Sequence, residues 1–152
     1  MSFLILVAVI ILYWWLCSRR KPKLSPYMLE QSLQINVPIP LCGKPDVVWE
    51  TRDGTLIVGD YKSREKQQVY ESEVIQLSVY KLLVERTQKR PVADYGFIHF
   101  KNRNMKKVCL MKEKEIIALY YRYWNVIGGE VVAYAANNKN YCRYCSHKHE
   151  CN

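Results

Sequence analysis

Two short apolar runs flank a tight turn in the first half of the chain. Val47–Trp49 and Leu56–Val58 consist of β-branched, aromatic and aliphatic residues, and the Asp53-Gly54 pair between them is typical of a β-hairpin turn. We therefore predict two antiparallel strands at these runs. Because the chain reverses at the turn, the start of the first strand lies beside the end of the second, and Asp46 is predicted to lie beside Asp60.

A longer helical pattern follows this hairpin. From about Gln68 to Arg86 there is neither Gly nor Pro, and apolar residues recur at helical spacing. Gln76 and Tyr80 are one turn apart and therefore share a helix face, and Glu73, one turn before Gln76, is given no role. The same patterns predict further helices at Tyr27–Leu33 and Glu113–Val126, strands at Tyr95–Phe100 and Lys107–Met111, and either state at Glu130–Ala136.

The end of the second hairpin strand carries residues suited to phosphate chemistry. Asp60 and Lys62 share one strand face because side chains alternate with period two. Carboxylate oxygens are the ligands that Mg²⁺ prefers, and a metal-bound water beside a lysine is a nucleophile for phosphorus. Asp46, Asp60 and Lys62 are therefore candidate catalytic residues of a metal-dependent phosphodiesterase.

These residues resemble a known family. Pro45-Asp46 followed by Asp60-Tyr61-Lys62 is similar to the core of the PD-(D/E)xK nucleases, and Gln76 with Tyr80 resembles the QxxxY motif of their RecB-type branch. The resemblance runs from about residue 24 to residue 151 and is strongest to the CRISPR-associated iron–sulfur exonucleases. It implies a restriction-endonuclease-like α/β core, with a mixed central sheet flanked by helices, and DNA exonuclease activity that uses Mg²⁺ or Mn²⁺.

The resemblance also implies residue roles. Asp46, Asp60 and Tyr61 would bind the cation, Lys62 would assist the attacking water, and the DNA strand would be positioned by Gln76 and Tyr80. RecB-type members usually bring a histidine from the first helix to the metal, whereas the histidines of this chain lie downstream of the core. Glu30, in the predicted first helix, is the replacement oxygen ligand. The departure leaves the number of metal ions and the rate open.

The C-terminal tail has cysteines spaced for a metal rather than for disulfides: Cys142, Cys145 and Cys151. The resemblance implies a [4Fe–4S] cluster, which usually needs four thiolates. The family's first thiolate lies in a Cys-Pro pair where this chain has Ser25-Pro26, so Cys42 is the candidate for the fourth ligand. A tetrahedral zinc site that includes His147 or His149 is the alternative, and reduced thiols without metal are the third possibility.

Composition favours one domain with a polyanionic partner. The chain has 152 residues and a net charge of +9, from 23 basic and 14 acidic residues. Many cations lie near predicted strand ends and loops: Lys62, Arg64, Lys66, Lys101, Arg103, Lys106, Lys107 and Lys112. Aromatic surface that suits unpaired bases is offered by Tyr70, Tyr95, Tyr120, Tyr121 and Tyr123. The alternative is that many of the basic residues only solvate the surface and that several of the tyrosines belong to the core.

The N-terminus has the composition of a membrane anchor. Residues 1–18 carry no charged side chain, and as a helix they span about 27 Å, close to the roughly 30 Å hydrocarbon thickness. Four cations follow within residues 19–23. Because positive charges beside a membrane helix favour the cytoplasmic side, they predict that the downstream domain is held in the cytoplasm. We predict a single-pass anchor at 1–18, a basic linker at 19–26 and a RecB-type nuclease domain at 27–152. The alternative is an apolar helix packed on its own domain.

Together these features predict a membrane-anchored, cytoplasm-facing, metal-dependent deoxyribonuclease. The first alternative is a DNA-binding or scaffolding protein that keeps the nuclease fold with weak or no catalysis. The second is a membrane-tethered zinc-binding adaptor. A nuclease assay separates the deoxyribonuclease from both alternatives. Salt-dependent DNA binding separates the DNA-binding protein from the zinc-binding adaptor.

We predict that the full-length protein resists extraction from membranes by alkaline carbonate, because residues 1–18 match the hydrocarbon thickness. Protease added to the cytoplasmic side should digest the C-terminal domain, and protease on the other side should not. Release by carbonate would favour the helix packed on its own domain.

Overall fold

The computed structural model describes residues 24–132. This part of the chain contains seven strands and two helices. The strands are β1 (Ser25–Leu29), β2 (Leu33–Ile35), β3 (Leu41–Gly43), β4 (Val47–Glu50), β5 (Leu56–Lys62), β6 (Tyr95–Phe100) and β7 (Met105–Cys109). The helices are α1 (Glu71–Gln88) and α2 (Glu113–Ile127).

Five strands form a mixed sheet in the order β1-β4-β5-β6-β7, and β2 with β3 forms a separate antiparallel pair. All neighbours in the large sheet are antiparallel except β5 and β6, which run parallel. Helix α1 connects these two strands, as a parallel pair requires a crossover. The predicted α/β class with a mixed central sheet is confirmed.

The predicted hairpin forms β4 and β5. Its turn contains Gly54 at φ 85°, a left-handed conformation that glycine adopts without steric cost. The Gly54 N–H donates to the Thr51 carbonyl at 3.0 Å, which closes the turn. Strand β5 continues beyond the predicted Val58 to Lys62, so Asp60 and Lys62 both lie within a regular strand.

The prediction of a helix at Tyr27–Leu33 is wrong. Residues 25–29 form β1, in which Met28 is buried between the exposed Tyr27 and Leu29, and β1 is the edge strand that pairs with β4. Glu30 follows at φ 44°, where the chain turns toward β2. Backbone pairing with a strand some twenty residues away overrides the local preference. Within residues 24–132, three strands therefore precede the hairpin, and no helix does.

The other predicted elements form with small shifts. Helix α1 begins three residues later and ends two residues later than predicted, and β7 begins and ends two residues earlier. Helix α2 begins at the predicted Glu113 and ends one residue later than predicted. Residues 130–132 belong to neither a helix nor a strand, and the rest of the ambiguous segment lies outside the described residues.

The two faces of the large sheet have different coverings. Leu77, Leu83 and Val84 of α1 pack on one face, in a cluster that includes Val48, Leu56 and Val58. On the opposite face, the ring of Trp49 covers Gly59, where an added Cβ would lie 2.1 Å from the ring. Because Asp60 and Lys62 share a face with Val58, they lie on the side covered by α1.

No helix of residues 24–132 is long and apolar enough to cross a membrane. The predicted anchor at 1–18, residues 19–23 of the linker and the cysteine tail at 142–151 lie outside the described residues. Their predictions are carried forward below as proposals.

Candidate active site

The hairpin register brings two carboxylates together. Val47 pairs with Gly59 in β4 and β5, so the next position along each strand places Asp46 opposite Asp60. The Tyr61 N–H donates to Asp46 Oδ2 at 2.7 Å. Asp60 is buried, with 3% of its surface exposed, and Asp46 is half-buried. One oxygen of Asp46 is thus oriented by the backbone of the strand that carries Asp60.

Lys62 lies directly against Asp60. Its Nζ is 2.6 Å from Asp60 Oδ2 in an ion pair, yet that buried oxygen accepts no hydrogen bond of good geometry from residues 24–132. Burial raises the pKa of Asp60, Lys62 opposes this rise, and the neighbouring Asp46 and Glu73 charges add to it. Asp60 Oδ2 therefore lacks a hydrogen-bond donor of good geometry among residues 24–132, and a cation or its bound water would satisfy it.

Gln76 connects the predicted residues of the site. Its Oε1 accepts a hydrogen bond from Lys62 Nζ at 3.3 Å, and its Nε2 donates to Asp60 Oδ1 at 3.4 Å. The same nitrogen donates to the Tyr80 hydroxyl at 2.8 Å, one helical turn further along α1. Gln76 and Tyr80 thus orient the Asp60–Lys62 pair. Their predicted contact with DNA stays a prediction.

Glu73 and Arg64 extend this network, and neither is among the predicted site residues. Arg64 Nη1 and Nη2 donate to the two Glu73 oxygens at 2.6 and 2.8 Å, and the Tyr70 N–H donates to Glu73 Oε2 at 3.0 Å. Burial raises the pKa of Glu73, but these hydrogen bonds and the Arg64 and Lys62 charges outweigh it, so the pKa lies below its ordinary value. Glu73 is held ionised, 3.9 Å from Lys62 Nζ.

The sequence contains a spacing signal for Glu73 but none for Arg64. Glu73 is three residues before Gln76, so both lie on one face of α1. Arg64 is two residues after Lys62, but it lies beyond β5, in the loop that leads to α1. The Arg64 guanidinium reaches Glu73 because that loop folds back, and Arg64 Nη2 donates to the Gln68 carbonyl at 2.6 Å. Helix periodicity alone contains no information about such a loop.

Glu30 has a different setting from the predicted one. It lies after β1 rather than in a helix, and its N–H donates to the Asp46 carbonyl at 3.2 Å. Its backbone is therefore next to a predicted metal ligand. Its carboxylate is exposed and forms an ion pair with Lys44, with 2.9 Å between Oε2 and Nζ. Its role as a metal ligand, like that of Tyr61, stays a prediction.

Cys42, the predicted fourth cluster ligand, lies exposed in β3, where it pairs with Gln34 of β2. The three tail cysteines, His147 and His149 lie outside the described residues. Within residues 24–132, no group of three or more His, Cys, Asp or Glu side chains is arranged to hold a metal ion. A cation at Asp46 and Asp60 would therefore complete its coordination with water and phosphate oxygens, which Mg²⁺ sites commonly use.

Comparisons with known proteins identify one family. The sequence profile of the PD-(D/E)XK nuclease superfamily matches residues 6–152, which include the predicted site and the cysteine tail. Among solved structures, the chain is similar to the crystal structure of SSO0001, with 18% sequence identity and a TM-score of 0.48. The match covers 82% of this chain and 58% of that one, so this chain spans less than two thirds of that protein's length. No curated protein matches the chain.

The Glu73–Arg64 network generates a stability prediction. Glu73→Gln should lower the free energy of unfolding by about 1–3 kcal/mol at pH 7, because it weakens buried charge-assisted hydrogen bonds. The pKa of Glu73 is lowered on folding, so its contribution is present above the ordinary value of 4.5 and is lost as pH falls through the folded value. Urea denaturation at several pH values should show the difference between variant and wild type shrinking on the acid side.

Glu113→Gln is the matched control for this measurement. Glu113 forms a similar two-oxygen pair with Arg86, but this pair lies on the surface, so its loss should cost less than about 1 kcal/mol. Equal losses for the two variants at pH 7, or a Glu73→Gln difference that does not change with pH, would contradict the network described here.

Proposed function

Because the chain belongs to the PD-(D/E)XK nuclease superfamily, we propose that it is a Mg²⁺- or Mn²⁺-dependent deoxyribonuclease of the RecB type. It would act as an exonuclease on DNA ends or single strands. The observation that carries the proposal is the convergence of Asp46, Asp60 and Lys62 at the end of one hairpin, with 2.6 Å between Lys62 Nζ and Asp60 Oδ2.

The residues present suit a hard divalent cation. Asp46 and Asp60 offer only oxygen donors, and Asp60 Oδ2 is buried without a hydrogen bond of good geometry from residues 24–132. A bound cation would polarise a phosphate oxygen and lower the pKa of its own water. Asp46 and Asp60 are the residues that would hold it.

The chain's own groups would then act on the phosphate. Gln76 and Glu73 keep the Lys62 ammonium at the site, 3.3 and 3.9 Å from their nearest oxygens. A lysine held in this way stabilises the negative charge that develops on the phosphate oxygens in the transition state. Before DNA binds, Asp60 and Lys62 neutralise each other, so neither charge is left buried and unpaired.

A basic rim lies at the same end of the sheet as the site. The turn between β6 and β7 binds the loop between β5 and α1: the Lys101 N–H donates to the Arg64 carbonyl at 3.2 Å, and Lys106 Nζ donates to the Gln67 carbonyl at 3.1 Å. This contact groups exposed cations near Lys62: Lys66, Lys101, Arg103 and Lys106. Such a rim supports the proposal of DNA as substrate, since phosphates bind clustered cations.

Two residues of the predicted cationic set lie elsewhere, namely Lys107 and Lys112. Lys107 Nζ is 3.6 Å from the centroid of the Tyr95 ring, at the start of β6. Lys112 precedes α2 at the opposite end of the sheet, because Cys109 pairs with Tyr95 at the start of β6. Lys112 still lies in a loop, as predicted, but it is not part of the basic rim.

We expect Asp60→Ala to abolish DNA cleavage and Lys62→Ala to lower its rate by about 100-fold or more, since each removes a charge that acts at the phosphate. Cleavage of an end-labelled single strand by the purified protein should require added Mg²⁺ or Mn²⁺ and stop with EDTA. Asp94→Ala and Lys81→Ala are matched controls, because they break a similar pair, with 2.7 Å between its charged atoms, near the start of β6.

Unchanged cleavage by Asp60→Ala or Lys62→Ala would contradict the assigned mechanism. Salt-dependent DNA binding without cleavage under any divalent cation would favour the alternative, a DNA-binding or scaffolding protein that keeps the nuclease fold. A circular single strand that is cut as fast as a linear one would contradict the exonuclease proposal but not the nuclease proposal.

Two further parts of the proposal concern segments outside the described residues. Residues 1–18 would anchor the protein in a membrane with the nuclease domain facing the cytoplasm, as their uncharged composition and the cations after them suggest. Cys142, Cys145 and Cys151 would bind a structural metal, a [4Fe–4S] cluster or, alternatively, zinc. Both proposals rest on the sequence alone.

The tail proposal predicts that Cys145→Ser lowers thermal stability, because metal binding to a short tail contributes to folding free energy. If a cluster is bound with Cys42 as the fourth ligand, anaerobically purified protein should be brown, and Cys42→Ser should weaken the colour. The double change of His147 and His149 to Ala is the control and should leave the colour unchanged. Colourless protein with one zinc, released by the histidine changes, would favour the zinc site. Full stability without all three tail cysteines would contradict both.

A further inference from the structure

An aromatic row crosses the sheet on the face opposite α1. The rings of Tyr61 in β5 and His99 in β6 have centroids 4.8 Å apart, and His99 and the Trp49 ring are also 4.8 Å apart. Trp49 is 9% exposed, whereas Tyr61 is 56% exposed. The row therefore runs from the core outward and ends in one exposed tyrosine ring.

Tyr61 also adjoins the proposed active site. It lies between Asp60 and Lys62 in the sequence, and alternation along β5 places its side chain on the other face from theirs. Its N–H donates to Asp46 Oδ2 at 2.7 Å, which fixes its backbone against the second carboxylate. The Tyr61 ring is thus one residue along β5 from both Asp60 and Lys62, at the same end of the sheet as the carboxylates but on its other face.

His99 lies between the Trp49 and Tyr61 rings in this row. Its Nε2 has no hydrogen-bond partner among residues 24–132. Met105 of β7 pairs with His99 and is 49% exposed, which extends the apolar surface beside Tyr61 by one strand. On this face Tyr61 thus has an aromatic ring beside it and an apolar side chain one strand further, and a nucleobase can stack on such a surface.

We propose that the Tyr61 ring stacks on an unpaired nucleobase of the DNA strand whose phosphate lies at Asp46 and Asp60. This inference rests on the proposed nuclease function and adds a source of preference for single strands and frayed ends. Every nucleobase has an aromatic face, so the site would be tolerant of sequence. A base inside a duplex would first have to leave its stack, and the site would therefore discriminate against intact duplex.

Binding without cleavage tests the proposal. The purified full-length protein, in Ca²⁺ so that a hard cation can bind at Asp46 and Asp60, is titrated against a short labelled single strand and against a blunt hairpin duplex that is closed by a non-nucleotide linker. The dissociation constants are measured by fluorescence anisotropy. Tyr61→Leu should weaken single-strand binding by roughly 10- to 100-fold and hairpin binding by less than about twofold. Tyr61→Phe should bind like the wild type, because the ring is retained. A 2-aminopurine placed in the strand should be quenched by the wild type and by Tyr61→Phe but not by Tyr61→Leu.

Trp124→Leu is the matched control. Trp124 is 51% exposed, close to the exposure of Tyr61, but it lies on α2, which begins at the opposite end of the sheet from the site. This variant should bind both DNAs like the wild type. Thermal denaturation of each variant shows whether the fold is retained.

The outcomes separate the two claims. Unchanged single-strand binding in Tyr61→Leu, an equal loss on strand and hairpin, or an equal effect of Trp124→Leu would overturn the stacking site. Absence of DNA binding by the wild type would overturn it as well. Tyr61-dependent binding by a wild type that cleaves no DNA with any divalent cation would overturn the nuclease proposal and leave the stacking site standing.

Discussion

The pairing of β4 with β5 is the constraint on which the site depends. The register that pairs Val47 with Gly59 also places Asp46 opposite Asp60. If β5 slipped by one residue along β4, Asp60 and Lys62 would turn to the opposite face of the sheet, away from Gln76 and Glu73 of α1. Gly59 helps to exclude that slip, because the Trp49 ring occupies the space where any other side chain would begin. Packing on one face of the sheet thus fixes the chemistry on the other.

Electrostatics then determine what the site can do. Positive and negative charges alternate along the network from Asp60 through Lys62 and Glu73 to Arg64, with contacts of 2.6, 3.9 and 2.6 Å. Such a network is strong in a partly buried setting because the effective dielectric constant is low. Asp46 is outside it, since its described bond is to the Tyr61 N–H. The carboxylate pair therefore keeps an excess of negative charge, which suits a divalent cation.

Local patterns were sufficient for the hairpin and for α1. The Asp53-Gly54 turn and the apolar runs that flank it specify the hairpin, and helical spacing places Gln76 beside Tyr80, near Lys62. The segment at Tyr27–Leu33 was predicted wrongly because β1 depends on pairing with β4, a contact that local periodicity does not contain. The Arg64–Glu73 pair depends on the conformation of a loop. The hairpin and strand alternation indicated Asp46, Asp60 and Lys62 as catalytic residues, whereas the roles of Gln76 and Tyr80 came from the family resemblance.

The most direct test of the account is the position of a bound cation. Crystals of the protein soaked in Mn²⁺ and measured near the manganese absorption edge would show each manganese ion by its anomalous scattering. The account predicts a manganese ion in direct contact with carboxylate oxygens of both Asp46 and Asp60, and no ion there in Asp60→Asn. Manganese bound elsewhere only, or retained at this position in Asp60→Asn, would contradict it.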